Sequence, residues 1–271
     1  MDITLLKLLE EKREWVWRET LKIHKIAPKT RISSSLSCIE IFVALYYGKI
    51  LNYDPNNQYW QNRDRFIISK GHGSVSMYPI LADLGFFDNS ELARVCQPGS
   101  FLGGIPDPII PGYETVNGSL GHGMGVGCGI AMALKMKSIN QKVWILVGDG
   151  EMYEGANWEA IMLAGHHKLD NLILVIDCNK ISMLDYTKNI IDHMSFPKKF
   201  CDFGWAASEI DGHDIKAVWK EMNSIKKSVE CKPKVIVANT IKGKGVPSLE
   251  NSRLAHVMTL SPEEVNKLLG E

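Results

Sequence analysis

The sequence has no excess of either charge, no long apolar run and no cluster of cysteines. Its 31 basic residues balance 31 acidic residues, so it lacks the basic surplus expected of a general nucleic-acid-binding protein. No apolar stretch approaches the length of a membrane span, and the N-terminal residues lack a basic segment followed by an apolar core. We therefore expect a cytoplasmic protein that binds neither membranes nor nucleic acid.

The cysteines exclude zinc fingers and similar sites. No two of the six form a C-x-x-C pair, and no histidine lies at zinc-finger spacing. Internal repeats and Pro/Ser-rich linkers are also absent. A chain of 271 residues with 45% apolar content therefore predicts one domain, residues 1–271, with a well-buried core. We interpret all six cysteines as buried free thiols: Cys38, Cys96, Cys128, Cys178, Cys201 and Cys231.

A strand–helix–strand unit from Val143 to Ile181 organises the chain. The apolar run 143–147 ends at Gly148-Asp149-Gly150, which is typical of a buried strand stopped by a tight turn. A helical pattern follows, and a second apolar strand, 171–176, precedes Asn179. Strands joined by a helix are parallel neighbours. We predict an α/β fold in which a mostly parallel central sheet is flanked by helices.

The other segments predict helices and strands that fit this fold. We expect a helix from Leu5 to about Ala27, then a polar loop, 30–37, whose Ser37 could cap a very apolar helix. That helix, 38–47, must be buried in the core or against another subunit. Further predictions are a helix over 126–137 that packs closely through its small residues, strands over 206–210 and 234–238, and a helix over 215–229. The 38–47 and 123–133 segments are candidates for buried interfaces.

Asp149 and Asn179 should meet where the two parallel strands end, because open α/β sheets bind ligands at that edge. Their side-chain oxygens and the Ile181 carbonyl form a hard donor set with too few ligands to enclose calcium. Magnesium completed by phosphate oxygens fits better. Gly150 lets a phosphate approach the backbone, and the following helix start supplies unpaired N–H groups. The residues predict a diphosphate held through a divalent cation, although Gly-Asp-Gly alone is more often a structural turn.

The longer pattern resembles the thiamine-diphosphate motif of transketolases. It comprises Gly148 to Gly155, Leu169-Asp170-Asn171-Leu172-Ile173 and Asp177 to Ser182. The resemblance covers nearly the whole chain, from the helix after Pro28 to Ser261-Pro262-Glu263-Glu264. It implies thiamine diphosphate bound with Mg²⁺, in which Asp149, Asn179 and Ile181 hold the metal and Gly150 meets the diphosphate.

Other motifs match the same family. Asn62 to Gly73 reads as a strand that runs into the glycine-flanked His72. An exposed loop histidine and a ligand-contacting one are equally compatible with that pattern alone. The resemblance implies that His72 contacts the cofactor diphosphate. The glycine-rich segment 97–129 is a long surface segment, and long ordered loops in compact domains are usually functional. Within it, Gly118-Ser119-Leu120-Gly121 resembles the turn that meets the cofactor rings. We expect His122 to be structural.

The segment after the last predicted strand contains two lysines among glycines, Asn239 to Pro247. Composition alone favours a solvated flexible turn. The family has the same Lys-Gly-Lys-Gly-Val loop, followed by Glu250-Asn251 and a histidine that matches His256. By resemblance His256 touches both cofactor and substrate and, with His72 and Glu154, belongs to the catalytic group.

Three further roles follow from the resemblance. Leu120 and Met183 are expected to wedge the cofactor rings. Glu154 matches an acidic residue that lies at a subunit interface in the family and couples cofactor sites. A carboxylate favoured by the helix dipole explains Glu154 equally well.

The resemblance also implies a partner. Full-length transketolases resemble this chain only in their first domain, while a second domain carries the glutamate that protonates the aminopyrimidine. The chain thus resembles the N-terminal subunit of a split transketolase. We expect a C-terminal partner subunit that supplies the pyrimidine site, two copies of each chain in a heterotetramer, and no activity of this chain alone.

Two positions depart from the family pattern on the substrate side. Where split transketolases usually read Gly-His-Ile-Gly-Gly-Ser-Leu-Ser, this chain has Thr30 to Ser37, which puts Arg31 in the place of a substrate-contacting histidine. Ile105 replaces a second such histidine. An arginine stays charged and an isoleucine forms no hydrogen bond. We therefore predict transfer of a two-carbon ketol unit from a ketose to an aldehyde with an altered sugar. The alternatives are one chain of a thiamine-dependent 2-oxo acid decarboxylase or carboligase, and a non-catalytic, partner-binding paralogue.

Overall fold

The computed structural model describes residues 1–250 and 252–271; Asn251, which with Glu250 matches the family pattern, lies outside the described residues. A five-stranded parallel sheet forms the centre, and a small antiparallel hairpin lies beside it. The sheet consists of β1 (Arg65–Ile68), β2 (Val143–Gly148), β3 (Leu172–Cys178), β6 (Ala206–Asp211) and β7 (Lys234–Asn239), and the hairpin of β4 (Ile181–Ser182) and β5 (Asp185–Tyr186).

Helices follow most strands, as expected for parallel neighbours that need crossover connections. No helix among the described residues is long and apolar enough to cross a membrane. The α-helices are α1 (Ile3–Ile26), α2 (Ile32–Leu36), α3 (Ile39–Tyr46), α4 (Met77–Asp83), α5 (Gly123–Met136), α6 (Gly155–His166), α7 (Thr187–Ile190), α8 (Phe196–Asp202), α9 (Ile215–Lys227) and α10 (Pro262–Leu269).

The sheet order is β1-β2-β3-β7-β6, and every pairing is parallel. The predicted α/β fold with a mostly parallel sheet is therefore confirmed, as is the strand–helix–strand unit formed by β2, α6 and β3. Gly148 lies opposite Asp177, and Cys178 lies opposite Asn239. Since the three strands end level with one another, the residues that follow them share one edge of the sheet.

The buried side chains form one core on each face of the sheet. Successive residues of a strand point to opposite faces, and in β2 Trp144 and Leu146 join one core while Ile145 and Val147 join the other. The first core is covered by α1, α3, α4 and α9, and the second by α5, α6 and α8. Burial on both faces explains why these strands are almost wholly apolar.

Two predictions about helix packing agree with the structure. A Cβ on Gly127 of α5 would lie 2.3 Å from Ile145 Cδ1, so this helix does pack closely on β2 through a small residue. All eight residues of α3 are buried, and the helix packs within this chain against α1 and α9. The start of α5 is Gly123, three residues earlier than expected.

Three local predictions are wrong. Residues 30–37 are not a polar loop, because Ile32–Leu36 form α2 and all five of its residues are buried. Ser37 does not cap the next helix; its hydroxyl instead donates to the Ser34 carbonyl and to Asp177. The six cysteines are all free, but only three of them are buried, while Cys96, Cys201 and Cys231 are exposed.

Candidate active site

Asp149 and Asn179 lie together at the carboxyl edge of the sheet, as predicted. The Asp149 carboxylate is 2% exposed and accepts hydrogen bonds from the N–H of Gly150 at 2.8 Å and from the N–H of Lys180. Asn179 Oδ1 accepts from the Ile181 N–H at 3.2 Å. Burial, reinforced by repulsion from Asp177, raises the pKa of Asp149. A cation bound beside this carboxylate would favour its charged form.

Lys242 places an ammonium group on this edge. Its Nζ donates to the Ile181 carbonyl oxygen at 3.1 Å, and the side chain is buried. Burial and the nearby Lys70 lower the pKa of Lys242, while Asp149 and Asp177 oppose that shift. Composition favoured a solvated lysine turn here, and for Lys242 that interpretation is wrong. A cation therefore already contacts one of the three predicted metal-binding oxygens.

Beneath this edge lies a buried ion pair between Lys70 and Asp177. The Lys70 ammonium, which is 1% exposed, also donates to the Ser34 carbonyl at 3.1 Å. Asp177 accepts hydrogen bonds from the hydroxyls of Ser37 and Thr240 as well. Burial alone would raise the pKa of Asp177, but the Lys70 charge and these donors outweigh it and hold the pKa at about 2. The pair joins β1, α2, β3 and the loop after β7.

His72 and His256 meet edge to face on the other side of Lys70 and Lys242. Their ring centroids are 4.9 Å apart with an interplanar angle of 76°. Burial and the neighbouring lysines lower the pKa of His72 well below its usual value. Burial, followed by the charges of Lys242, Arg31 and Lys70, lowers the pKa of His256 to about 4. Both rings are consequently neutral at pH 7, and each can donate and accept a hydrogen bond.

The Gly118–Gly121 turn is held against the same edge by Glu151. This buried carboxylate accepts from the Ser69 hydroxyl, from the Gly121 N–H at 3.0 Å and from the Gly148 N–H at 3.4 Å. Gly121 has a φ of +84°, and a Cβ there would lie 2.6 Å from Glu154 Cβ. Only glycine fits that position without strain. Ser119 is exposed and Leu120 is half-buried, so both are available to a ligand.

The two replacing residues flank the histidine pair. Ile105, which is 42% exposed, would contact a Cβ added to Gly118 at 3.1 Å and thus lies against the Gly118–Gly121 turn. Arg31 is exposed and directly precedes α2, whose Ser33 hydroxyl donates to the Ala255 carbonyl at 2.6 Å. That bond fastens α2 beside His256. Among the described residues, no carboxylate pairs with the Arg31 guanidinium.

Glu154 and Met183 are both exposed. Glu154 immediately precedes α6, and its side chain makes no capping hydrogen bond. Met183 is in the two-residue turn between β4 and β5, with a φ of +45° and 61% of its surface exposed. Its neighbour Leu184 is 57% exposed. A ring-wedging role for Met183 would therefore depend on a bound ligand.

A cavity of about 580 Å³ opens next to the predicted metal-binding oxygens. It is lined by Asp149, Asn179, Ile181 and Lys242, and also by His193. His193 is buried and stacks on Tyr153 with 4.3 Å between centroids, and its Nε2 has no hydrogen-bond partner among the described residues. No three acidic, histidine or cysteine side chains of the described residues form a self-sufficient metal cluster, which agrees with a donor set that needs completion.

Sequence reasoning missed four functional-site residues, and two of them had a visible signal. Asp177 is a charged residue inside an otherwise apolar strand, and Lys70 lies two residues after another; buried charges require partners. Glu151 and His193 had no such signal, because their partners are distant in sequence. The glycines beside His72 were expected to serve a ligand, but a Cβ on Gly71 would lie 1.8 Å from the Asn117 carbonyl oxygen, so protein packing already requires that glycine.

Residues 30–270 match the family model described as "Transketolase, thiamine diphosphate binding domain". The chain belongs to the transketolase family. This match confirms the prediction that the chain is a transferase of this family with a thiamine-diphosphate-binding domain. The Campylobacter jejuni transketolase crystal structure superposes with a TM-score of 0.89 at 32% identity, covering 100% of this chain and 43% of the longer enzyme.

Two relatives have nearly the length of this chain. One is a single subunit of the apulose-4-phosphate transketolase of Actinobacillus succinogenes. It is 36% identical over 265 residues, which are 97% of this chain and 95% of that relative. The other, from a Clostridium species, is one subunit of a 6-deoxy-6-sulfo-D-fructose transketolase, 36% identical over 233 residues, covering 86% and 84%. The resemblance of this transketolase chain to the N-terminal subunit of a split enzyme is therefore confirmed.

Proposed function

We propose that this chain is the cofactor-binding subunit of a thiamine-diphosphate-dependent enzyme that transfers a two-carbon ketol unit from a ketose to an aldehyde. The observation that carries the proposal is the convergence of the Asp149–Asn179 edge and the His72–His256 pair around Lys70 and Lys242. Bound thiamine diphosphate supplies the electron sink for breaking and forming a carbon–carbon bond next to a carbonyl. The residues 1–271 act as one domain.

The donor set fits magnesium. Asp149, Asn179 and the Ile181 carbonyl provide three hard oxygen atoms, and the Ile181 carbonyl already accepts a hydrogen bond from the Lys242 ammonium. Mg²⁺ commonly takes one or two carboxylates and completes its shell with phosphate oxygens and water. We infer that these three residues hold Mg²⁺. Gly150, His72 and the Gly118, Ser119 and Leu120 turn contact the cofactor, and Met183 meets its rings.

The neutral histidines suit proton transfer during ketol exchange. At pH 7 a neutral imidazole can accept a proton from a substrate hydroxyl and return it. His256 has a buried Nδ1 without a partner among the described residues, and this atom is free to bind substrate or cofactor. His72, His256 and Glu154 form the proposed catalytic group. For Glu154, coupling of cofactor sites across an assembly and simple helix-start stabilisation both remain compatible with its exposed position.

The substrate differs from an ordinary pentose phosphate. Arg31 and His256 form the proposed substrate contacts, and Arg31 presents an unpaired positive charge where the family has a histidine. Two relatives are named for apulose 4-phosphate and for 6-deoxy-6-sulfo-D-fructose, which supports a non-standard sugar here. Activity requires a C-terminal partner subunit that supplies the pyrimidine site, in a cytoplasmic heterotetramer with two copies of each chain.

The experiment is a steady-state assay of the purified pair of subunits with Mg²⁺ and thiamine diphosphate. We expect ketol transfer with a modified or activated sugar and weak activity with xylulose 5-phosphate and ribose 5-phosphate. Full activity with that ordinary pair would disprove the altered substrate. Failure to bind thiamine diphosphate in calorimetry, with partner and Mg²⁺ present, would instead support a non-catalytic, partner-binding paralogue.

One observation favours a second function. The unpaired guanidinium of Arg31 could bind the carboxylate of a 2-oxo acid, as in decarboxylation followed by carboligation. The same assay with pyruvate distinguishes the two functions. Release of carbon dioxide would favour the 2-oxo acid reaction, and its absence together with ketol transfer would favour the first proposal.

A further inference from the structure

We propose that Glu40 and His213 are positioning residues. They hold the loop that carries Lys242 in place at the edge of the sheet where Asp149 and Asn179 lie. His213 lies between the end of β6 and the start of α9, and Glu40 lies in the first turn of α3. Neither side chain reaches the predicted ligand-binding residues. Both act through the backbone of Ile241, which directly precedes Lys242. The link to the cofactor rests on the proposed function, whereas the hydrogen bonds themselves do not.

The contacts form a relay from one helix to the loop. The Ile241 N–H donates to His213 Nε2 at 2.7 Å, and His213 Nδ1 faces Glu40 Oε2 at 3.2 Å. The side chains of His213 and Glu40 are only 12% and 4% exposed. Neither His213 Nδ1 nor Glu40 Oε2 has a hydrogen-bond partner among the described residues. The 3.2 Å approach therefore acts through the charge of the carboxylate on the ring and not as an aligned hydrogen bond.

The relay selects one form of the imidazole. Because Nε2 accepts the Ile241 N–H, it carries no proton, and the proton of a neutral ring must be on Nδ1. Nδ1 lies 3.2 Å from the Glu40 carboxylate, whose negative charge favours a proton there. Without the carboxylate, the other tautomer would become accessible, and its Nε2–H would face the Ile241 N–H, donor against donor. Glu40 thus keeps the ring in the form that can bind the loop, which is how carboxylates commonly orient ligating histidines.

The turn that carries His213 is itself fixed to the loop. The Gly212 N–H donates to the Asn239 carbonyl at 2.7 Å, and a Cβ on Gly212 would lie 2.4 Å from Thr240 Cγ2. Asp211 accepts the His213 N–H, and Asp214 accepts the Lys216 N–H. The imidazole is therefore held rigidly against the residues that lead into Lys242.

Three contacts anchor the loop. The relay through His213 is the anchor that directly precedes Lys242 in sequence. Thr240 donates to the buried Asp177, and the Gly243 N–H donates to the Ser33 carbonyl at 2.9 Å. Between these two, Ile241 is held by His213. Lys242 then extends to the Ile181 carbonyl at 3.1 Å. A long, charged and buried side chain must be aimed by a rigid backbone, because rotation at Ile241 would move its ammonium away from Asp149 and Ile181.

The test compares His213→Leu with His213→Gln in the full-length chain. Glutamine can place its carbonyl oxygen near the position of Nε2 and accept the Ile241 N–H, whereas leucine cannot. Hydrogen–deuterium exchange, resolved to single amides by fragmentation, should be about tenfold faster at Ile241 in the leucine variant, since one hydrogen bond is lost. The glutamine variant should exchange like the wild type, as should amides of β3 in both variants.

The matched controls are His166→Leu, at an exposed histidine near the end of α6, and Glu40→Gln, which keeps an oxygen facing Nδ1. Neither should change exchange at Ile241. Glu40→Leu should act like His213→Leu. Unchanged exchange at Ile241 in His213→Leu, or equal acceleration in the leucine and glutamine variants, would overturn the relay. Acceleration throughout β3 would show that the variant loosens the whole fold, and would also contradict a local positioning role.

Calorimetric titration with thiamine diphosphate and Mg²⁺, with the partner subunit present, tests the link to the cofactor. We expect about tenfold weaker affinity in His213→Leu, the lower end of the range for residues that orient a ligand-binding group, and wild-type affinity in His213→Gln. Wild-type affinity in His213→Leu would remove the link to Lys242. If the wild-type protein itself fails to bind the cofactor, the proposed function fails, while the exchange result for the relay still stands.

Discussion

Two regions of this protein, the proposed cofactor edge and the proposed substrate face, differ in how tightly the chain constrains them. The cofactor edge, which consists of Asp149, Asn179, Ile181 and Lys242, is buried and its polar atoms are hydrogen-bonded. The substrate face, which consists of Arg31, Ile105 and the His256 ring, is open: Arg31 is exposed and unpaired among the described residues, and Ile105 is 42% exposed.

The difference indicates which part of the site can change without loss of the fold. Asp149 and Lys242 are hydrogen-bonded to distant segments, and Asn179 to its neighbours Asp177 and Ile181, so a substitution there leaves a buried partner unsatisfied. Arg31 and Ile105 have few such ties. A family can therefore change its substrate through substitutions at weakly constrained positions such as Arg31 and Ile105 while it keeps its cofactor. This chain departs from the family pattern at both of these positions.

The largest expected effect comes from Asp177→Asn, which breaks the ion pair under the cofactor edge. The substitution leaves the Lys70 ammonium buried without a counter-charge, and loss of one partner of a buried pair costs about 3–5 kcal/mol of unfolding free energy. Chemical denaturation measures this. Asp170→Asn is the matched control, because its partner Lys135 is 41% exposed and an exposed pair contributes about 0–1 kcal/mol. Similar losses in both variants would contradict the account.

Asp149→Asn should break the cofactor edge while the fold persists. The amide keeps the shape of the side chain but lacks the negative charge, so we expect at least about 100-fold weaker binding of thiamine diphosphate with Mg²⁺, more than is typical for residues that only orient a ligand. Calorimetry measures the affinity. Asp192 lines the same cavity and is exposed; Asp192→Asn should change the affinity by about twofold or less. Equal effects of the two variants would disprove the assignment of Asp149.

The protonation of His256 tests the proposed substrate face. With a pKa of about 4, the ring is about ten to one neutral at pH 5, where an ordinary histidine near 6.5 would be mostly charged. Activity that depends on neutral His256 should persist down to that pH. Because the Arg31 charge lowers this pKa, Arg31→Gln should move the acidic limb upward.

An NMR titration of the histidine Cε1–H resonances in wild type and Arg31→Gln measures the shift directly. An unchanged His256 titration in Arg31→Gln would show that the guanidinium does not act on this ring.

The smallest expected effect concerns Glu154, which lies between the two regions. If its carboxylate only favours the start of α6, Glu154→Gln should lower the unfolding free energy by about 0.3–1 kcal/mol and leave activity unchanged. If it couples cofactor sites, the variant should keep its stability and change the cooperativity of thiamine diphosphate binding in the complex with the partner. Thermal unfolding and a cofactor titration separate the two roles.

Most of the central sheet and the shared edge could be predicted from sequence, because local patterns determine them. Val143 to Ile181 contains two apolar runs, a turn and a helical period, and the parallel pairing then places Asp149 beside Asn179. Residues 30–37 were mispredicted as a polar loop because two of their serines are hydrogen-bonded to distant groups. Ser33 bonds Ala255 and Ser37 bonds Asp177, and no local pattern shows such partners.

The same limit applies to Lys242 and to the relay from Glu40. A lysine among glycines looks solvated until Asp149, Asp177 and the Ile181 carbonyl are brought around it by three separate strands. His213 acquires its role through Ile241, 28 residues further along the chain. Family resemblance identified which residues to compare, and the packing shows which of them are constrained.

The most direct test of an intact cofactor edge beside an altered substrate face is the double variant Arg31→His, Ile105→His in the two-subunit enzyme. With wild-type affinity for thiamine diphosphate, it should gain about 100-fold in kcat/KM for xylulose 5-phosphate with ribose 5-phosphate, since each restored hydrogen-bonding side chain contributes about tenfold. Full activity of the wild type with that sugar pair, or no gain in the double variant, would contradict the account.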